Sequence, residues 1–67
     1  MSEEFILRYT DLAAVIQMAR GRGWSVRRII RVITAGLIYS DALALARKAA
    51  PLLDVSVAEL MRLRQNG

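Results

Sequence analysis

An all-α protein, a compact bundle of about four short helices forming one domain over residues 1–67, is the fold class this sequence predicts. Apolar residues recur at helical spacing in successive segments, and each segment opens on a small polar residue suited to capping a helix. Glycine or proline closes most of them, and no convincing hairpin turn separates any pair.

Before the first helical pattern, EEFILRY at residues 3–9 alternates weakly, with Phe5, Leu7 and Tyr9 on one side. It fits a short strand or an extended arm. Thr10 is then placed as an N-cap, Asp11 favours the positive end of the helix dipole, and Leu12, Val15, Ile16 and Ala19 make one apolar stripe. The run RGRG ends that helix. Ser25 caps a second one, in which Val26, Ile29, Ile30 and Ile33 share a face while Arg27, Arg31 and Thr34 take the opposite face and Arg28 its edge. Gly36 suits the left-handed position past a helix end, with Leu37 folding back on Val32.

Ser40 and Asp41 open the third segment, DALALARKAA, whose alanines and leucines cover most of its circumference and leave mainly Arg47 and Lys48 for solvent. It should be the central helix. Pro51 has no amide proton and clashes with a preceding carbonyl, so a kink or stop is expected near Ala50. The fourth start is the best marked: Ser56 and Glu59 have capping-box spacing, Val55 and Leu60 that of a hydrophobic staple. Leu60, Met61 and Leu63 follow as its apolar side.

Composition narrows the function. A domain of this length removes only about 60% of its unfolded surface from water, so a monomer is expected to be marginal. An apolar fraction of 55% is high for so short a chain, and self-association through Leu43, Leu45, Leu52 and Leu60 would bury the surplus, which predicts a homodimer. The longest uncharged run, Val32 to Ser40, is far short of the roughly 20 residues that span a bilayer. MSEEF carries two acids and no basic leader region, so a cytoplasmic location is expected. Cysteine and histidine are absent, and the acids sit at the amino terminus or in capping positions. Neither a catalytic constellation nor a metal or cofactor site is expected, and no small-molecule substrate.

The charge is concentrated. Net charge is +4, and between Leu12 and Ser40 there are five arginines (Arg20, Arg22, Arg27, Arg28, Arg31) and no acid, leaving minus one for the rest of the chain. A block of that kind is the footprint of a polyanion binder. Ser25 and the free amides at the start of the second helix suit a phosphate, Arg27 and Arg31 lie one turn apart and can reach base edges or phosphates, and Arg20 and Arg22 can clamp the flanking backbone. Trp24 is expected to pack beneath the turn.

GWSVRRIIRVITAGLI, residues 23–38, resembles the recognition-helix stretch of MerR-type and excisionase-type helix-turn-helix proteins. Gly23, Ser25, Val26, Arg27, Gly36 and Leu37 carry the likeness. YTDLAAV resembles the first helix of those domains, and YSD at residues 39–41 the start of the helix after their wing. The chain departs from them in a longer first helix, in Arg31 and Val32 where paired aromatics are expected, and in having no basic wing. PLLDVSVAELM is similar to the last two helices of lambda-repressor-like domains, and FILRY followed by a helix and GWSV echoes the ribbon-helix-helix plan. In the ribbon-helix-helix plan a paired strand enters the major groove. What the three likenesses share is two helices meeting at a tight turn with a basic second helix, a geometry that suits double-stranded DNA as partner. The residues expected to contact it are Arg20, Arg22, Ser25, Arg27, Arg28, Arg31 and Thr34. The rival expectation is a small helical adaptor or anti-activator that docks on another protein. A membrane-surface role for WSVRRIIRVI ranks third.

Overall fold

In the computed structural model the described residues are 11–66, and they form four α-helices and no strand. These are α1 (Leu12–Gly21), α2 (Val26–Ile33), α3 (Tyr39–Leu53) and α4 (Val57–Gln65). The expected arm at residues 3–9 and the Thr10 cap lie outside the described residues; Asp11 occupies the cap position of α1 and makes no side-chain cap bond.

The stripes expected from spacing are the buried faces. Leu12, Ile16 and Ala19 of α1 and Ile29, Ile30 and Ile33 of α2 are buried, with Val15 and Val26 half-buried beside them. The core element is α3, whose Ala42, Leu45, Ala46, Ala49, Ala50 and Leu53 are all buried. It packs against α1 and α4, and α4 in turn packs against α2. The Cα radius of gyration is 10.9 Å, about the value for an ordinary folded chain of this length. No helix among the described residues is long and apolar enough to cross a membrane.

Turn chemistry fixes how the helices meet. At the end of α1, Trp24 N–H donates to Ala19 C=O (3.1 Å) and Gly23 N–H to Arg20 C=O (3.0 Å), the paired closure of a Schellman turn. Its left-handed residue is Gly23, at φ 80°. Only four residues, Arg22–Ser25, separate α1 from α2. Ser25 caps α2 by accepting from Arg28 N–H (3.1 Å), and Ser56 caps α4 by accepting from Glu59 N–H (3.0 Å). The Glu59 carboxylate turns forward onto Arg62, whose Nη2 donates to Oε2 at 2.8 Å. Gly36 is left-handed as expected, at φ 79°. Leu37 is half-buried against the core, whereas Val32 is 46% exposed.

Two boundaries of α3 differ from expectation. It starts at Tyr39 with Ile38 in the cap position and no side-chain cap bond, so Ser40 and Asp41 lie inside its first turn. The Gly36 turn, closed by Leu37 N–H onto Thr34 C=O (3.1 Å), leaves Ile38 extended and free to accept the first helical bond from Ala42 N–H (2.9 Å). At the other end the helix runs through Pro51 to Leu53. Pro51 is exposed and forfeits one amide bond near the helix end, Ala50 before it has a small side chain to crowd, and continuing the turn buries Leu53. Asp54 then takes the left-handed position (φ 58°) and Val55 N–H closes onto Ala50 C=O (3.2 Å).

Replacing Ser56 by alanine should cost about 1 kcal/mol, the usual scale for a lost N-cap. Asp54→Gly should instead stabilise by about 0.5 kcal/mol, because a Cβ is disfavoured at left-handed φ. Urea unfolding reads both as opposite shifts of midpoint at constant slope.

Candidate nucleic-acid interface

An α2 helix with four isoleucine or valine side chains turned inward must present its remaining positions outward. At about 100° per residue, Arg27, Arg31, Arg28 and Val32 follow one another around that outer arc, and all four are exposed. Arg20 and Arg22, at the end of α1, are exposed as well. The structure therefore keeps all five arginines of the basic block at the surface.

Their side chains are not equivalent. Arg28 lies over the Trp24 ring, 4.1 Å from its centroid, a cation–π contact, while Trp24 packs against the core beneath the turn. That ring face is therefore already covered. Arg20 Nη1 reaches the Leu52 carbonyl at 3.4 Å, near the C-terminal end of α3 where carbonyls lack helical donors. Arg22 and Arg31 make no side-chain bond among the described residues. Ser25 commits an oxygen lone pair to its cap but keeps its hydroxyl proton for an acceptor.

Thr34 leaves the polar face expected for it. It is 2% exposed; its Oγ1 donates to Ile30 C=O (2.5 Å) and accepts from Arg64 Nε (3.2 Å), so it is a core residue and does not belong to the interface. At about 100° per residue Thr34 lies only about 40° around the helix from Ile30, at the edge of the isoleucine face, and Arg64 of α4 reaches it there. Arg64 carries no mark in the sequence, because its partners Thr34 and Leu37 are 30 and 27 residues away along the chain. It also donates from Nη2 to Leu37 C=O (3.0 Å), so one guanidinium clamps the α2–α3 turn from α4. Arg62 is different: hydrogen bonding to Glu59 and then the charge of that carboxylate raise its pKa, and the pair cancels locally.

The expected association face is also redrawn. Leu45 (3% exposed) and Leu60 (0%) fill the chain's own core and cannot meet a partner; Leu43 is half-buried and Leu52 39% exposed. Part of the apolar surplus is exposed alanine (Ala13, Ala14, Ala35, Ala44, Ala58), which presents little area and favours helix, so it needs no burial. Larger apolar groups do remain outside: Met18, Val32, Ile38 and Tyr39. Met18 and Val32 flank a groove of about 130 Å³ between α1 and α2, floored by Ala19, Trp24, Ile29 and Ile33 and edged by Arg22.

Around the outer arc of α2, then, a positive face has an apolar groove on the α1 side and the Arg64 clamp on the α4 side. No protein-family model, curated protein or solved structure matches this chain.

Arg64→Leu should destabilise the fold by about 1–3 kcal/mol, since it strips the Thr34 hydroxyl and the Leu37 carbonyl of a charged donor. Arg22→Ala should move stability by less than about 0.5 kcal/mol. Equal midpoints for the two variants in urea would show that the clamp contributes nothing.

Proposed function

We propose that the protein is a small helix-turn-helix-like DNA-binding regulator, acting in transcription or as an accessory factor in recombination, with α2 as the helix that enters the groove. The observation that carries this reading is the pairing on α2 of a buried isoleucine face with an outward arginine arc, inside a run of 29 residues that holds five arginines and no acid. A four-residue turn sets α2 beside α1, the arrangement by which such domains present a second helix. Arg27 and Arg31 contact bases or phosphates from the centre of the arc, while Arg22, Ser25 and Arg28 bind phosphate at its start. Arg20 adds charge from α1. The reading assigns the chain no catalytic step and no cofactor.

A homodimer belongs to the same proposal, because an eight-residue helix reads few base pairs and two half-sites multiply affinity. With Leu45 and Leu60 committed to the core, the surfaces left for the contact are Leu52, Leu43 and the exposed Ile38 and Tyr39. The second reading, a helical adaptor docking on another protein, is favoured by one observation, the apolar groove edged by Met18 and Val32.

Titration against duplex DNA at several salt concentrations separates the two. Binding tighter than about 0.1 mM at low salt is expected, and Arg22→Ala with Arg27→Ala should weaken it while lowering the magnitude of the log–log salt slope by about 0.9 for each phosphate no longer engaged. Failure of the wild type to reach that affinity hands the basic face to a protein partner. For assembly, the melting temperature should rise with protein concentration; sedimentation as a monomer at every concentration tested would remove the dimer.

A further inference from the structure

The positive surface does not end with α2. Arg31 and Arg64 line one open cleft of about 300 Å³ together with Thr34, Ala35 and Gly36, and no acid lines it. The two guanidiniums are prepared differently. Arg64 is held by its bonds to Thr34 Oγ1 (3.2 Å) and Leu37 C=O (3.0 Å), which engage Nε and Nη2 and leave Nη1 without a hydrogen bond among the described residues. Arg31 is exposed, with no side-chain partner among those residues, and is free to swing onto a ligand. Gly36, at φ 79°, adds an N–H that donates to nothing among the described residues. Its missing Cβ would meet no atom within 4 Å, so the wall there is low and open.

Two guanidiniums and a backbone N–H around a polar, open cleft make up a donor set for a tetrahedral oxyanion, for which the planar fork of arginine is well matched. We infer that this cleft seats a backbone phosphate of nucleic acid, so that the interface runs from the arginine arc of α2 onto α4. The source of the phosphate rests on the DNA-binding reading above. Arg27 and Arg31 lie about 6 Å apart along the helix axis, which places the cleft at the far end of the row that begins with Arg27. Arg64 thus has two uses. Its inner edge holds the α2–α3 turn and its outer edge faces the phosphate.

Amide and arginine side-chain NMR on the full chain tests this with two probes: inorganic phosphate against chloride at equal ionic strength, then a short DNA duplex. Both should shift the Gly36 N–H and the Arg64 Nε–H saturably. Arg31→Ala, which breaks no side-chain bond within the described fold, should abolish the phosphate response and lower the magnitude of the duplex salt slope by about 0.9. Duplex binding that moves Arg22 and Arg27 while Gly36 and Arg64 stay fixed, with an unchanged slope in Arg31→Ala, overturns the cleft and leaves the DNA-binding reading standing. A phosphate response with no duplex binding supports the oxyanion site and overturns nucleic acid as its source. Silence toward both probes overturns both.

Discussion

The structure depends on the alanine face of α3. Ala42, Ala46 and Ala49 have no exposed surface at all, and Ala50 little. Alanine forfeits no side-chain entropy in a helix and lets a neighbouring backbone come close, so α1 and α4 can both pack on α3 in a chain too short to wrap a bulky centre. Larger side chains then fill the gaps from outside: Ile16 from α1, Ile29 and Ile30 from α2, Leu60 from α4, each almost fully buried. Burying one such side chain is worth about 1.5–3 kcal/mol. The same requirement sets the outward face of α2. With every inward position taken by an aliphatic group, the arginines of α2 leave the helix on its outer side.

Polar chemistry at the α2–α3 corner follows from this crowding. A threonine buried where α4 crosses must satisfy its hydroxyl, and Oγ1 does so by donating to Ile30 C=O and accepting from Arg64. The guanidinium also covers the Leu37 carbonyl in the turn after α2, near the negative end of that helix's dipole, where a cation is favourable. Charge in this molecule therefore serves two purposes. Arg64 and Arg20 satisfy backbone carbonyls near helix ends, whereas Arg22 and Arg31 satisfy nothing within the described fold.

Much of this is legible in the sequence, for a reason that also explains the failures. Spacing fixes the angle at which a residue leaves its own helix, so the stripes of Leu12, Ile16 and Ala19 and of Ile29, Ile30 and Ile33 can be read directly. Caps are local too, which is why Ser25 and Ser56 stand where expected. What spacing cannot say is which other helix covers a given angle. Thr34 stands at the edge of the isoleucine face, about 40° from Ile30, and is buried because α4 lies against that edge. Leu45, on α3 itself, and Leu60, on α4, resemble surplus for a partner and are buried in the chain's own core. The end of α3 is misread through the same omission. A local rule halts a helix at Pro51, but the tertiary gain from burying Leu53 outweighs one missing amide bond. Arg64 has no local signal at all, since its role exists only once α4 lies against the α2–α3 turn.

Size places a further demand on any DNA-binding reading. Eight residues of helix measure about 12 Å, comparable to the width of the major groove, so α2 alone can touch only a few base pairs and a few phosphates. Affinity in the range of specific binders must come from charge beyond α2, from a second copy, or from both. Arginines at the end of α1 and in the α4 clamp extend the positive surface to either side of α2, whereas Ile38, Tyr39 and Leu52 offer apolar area that a second copy would cover. These two routes leave different marks. Added phosphate contacts steepen the dependence on salt without needing a second chain, while dimerisation makes affinity depend on protein concentration and requires paired half-sites. An isolated α2 of this length is below the size at which helices persist in water, so either route needs the arginine arc held by the folded core. Any change that loosens the α3 alanine contacts should therefore cost binding along with stability, even where it touches no arginine.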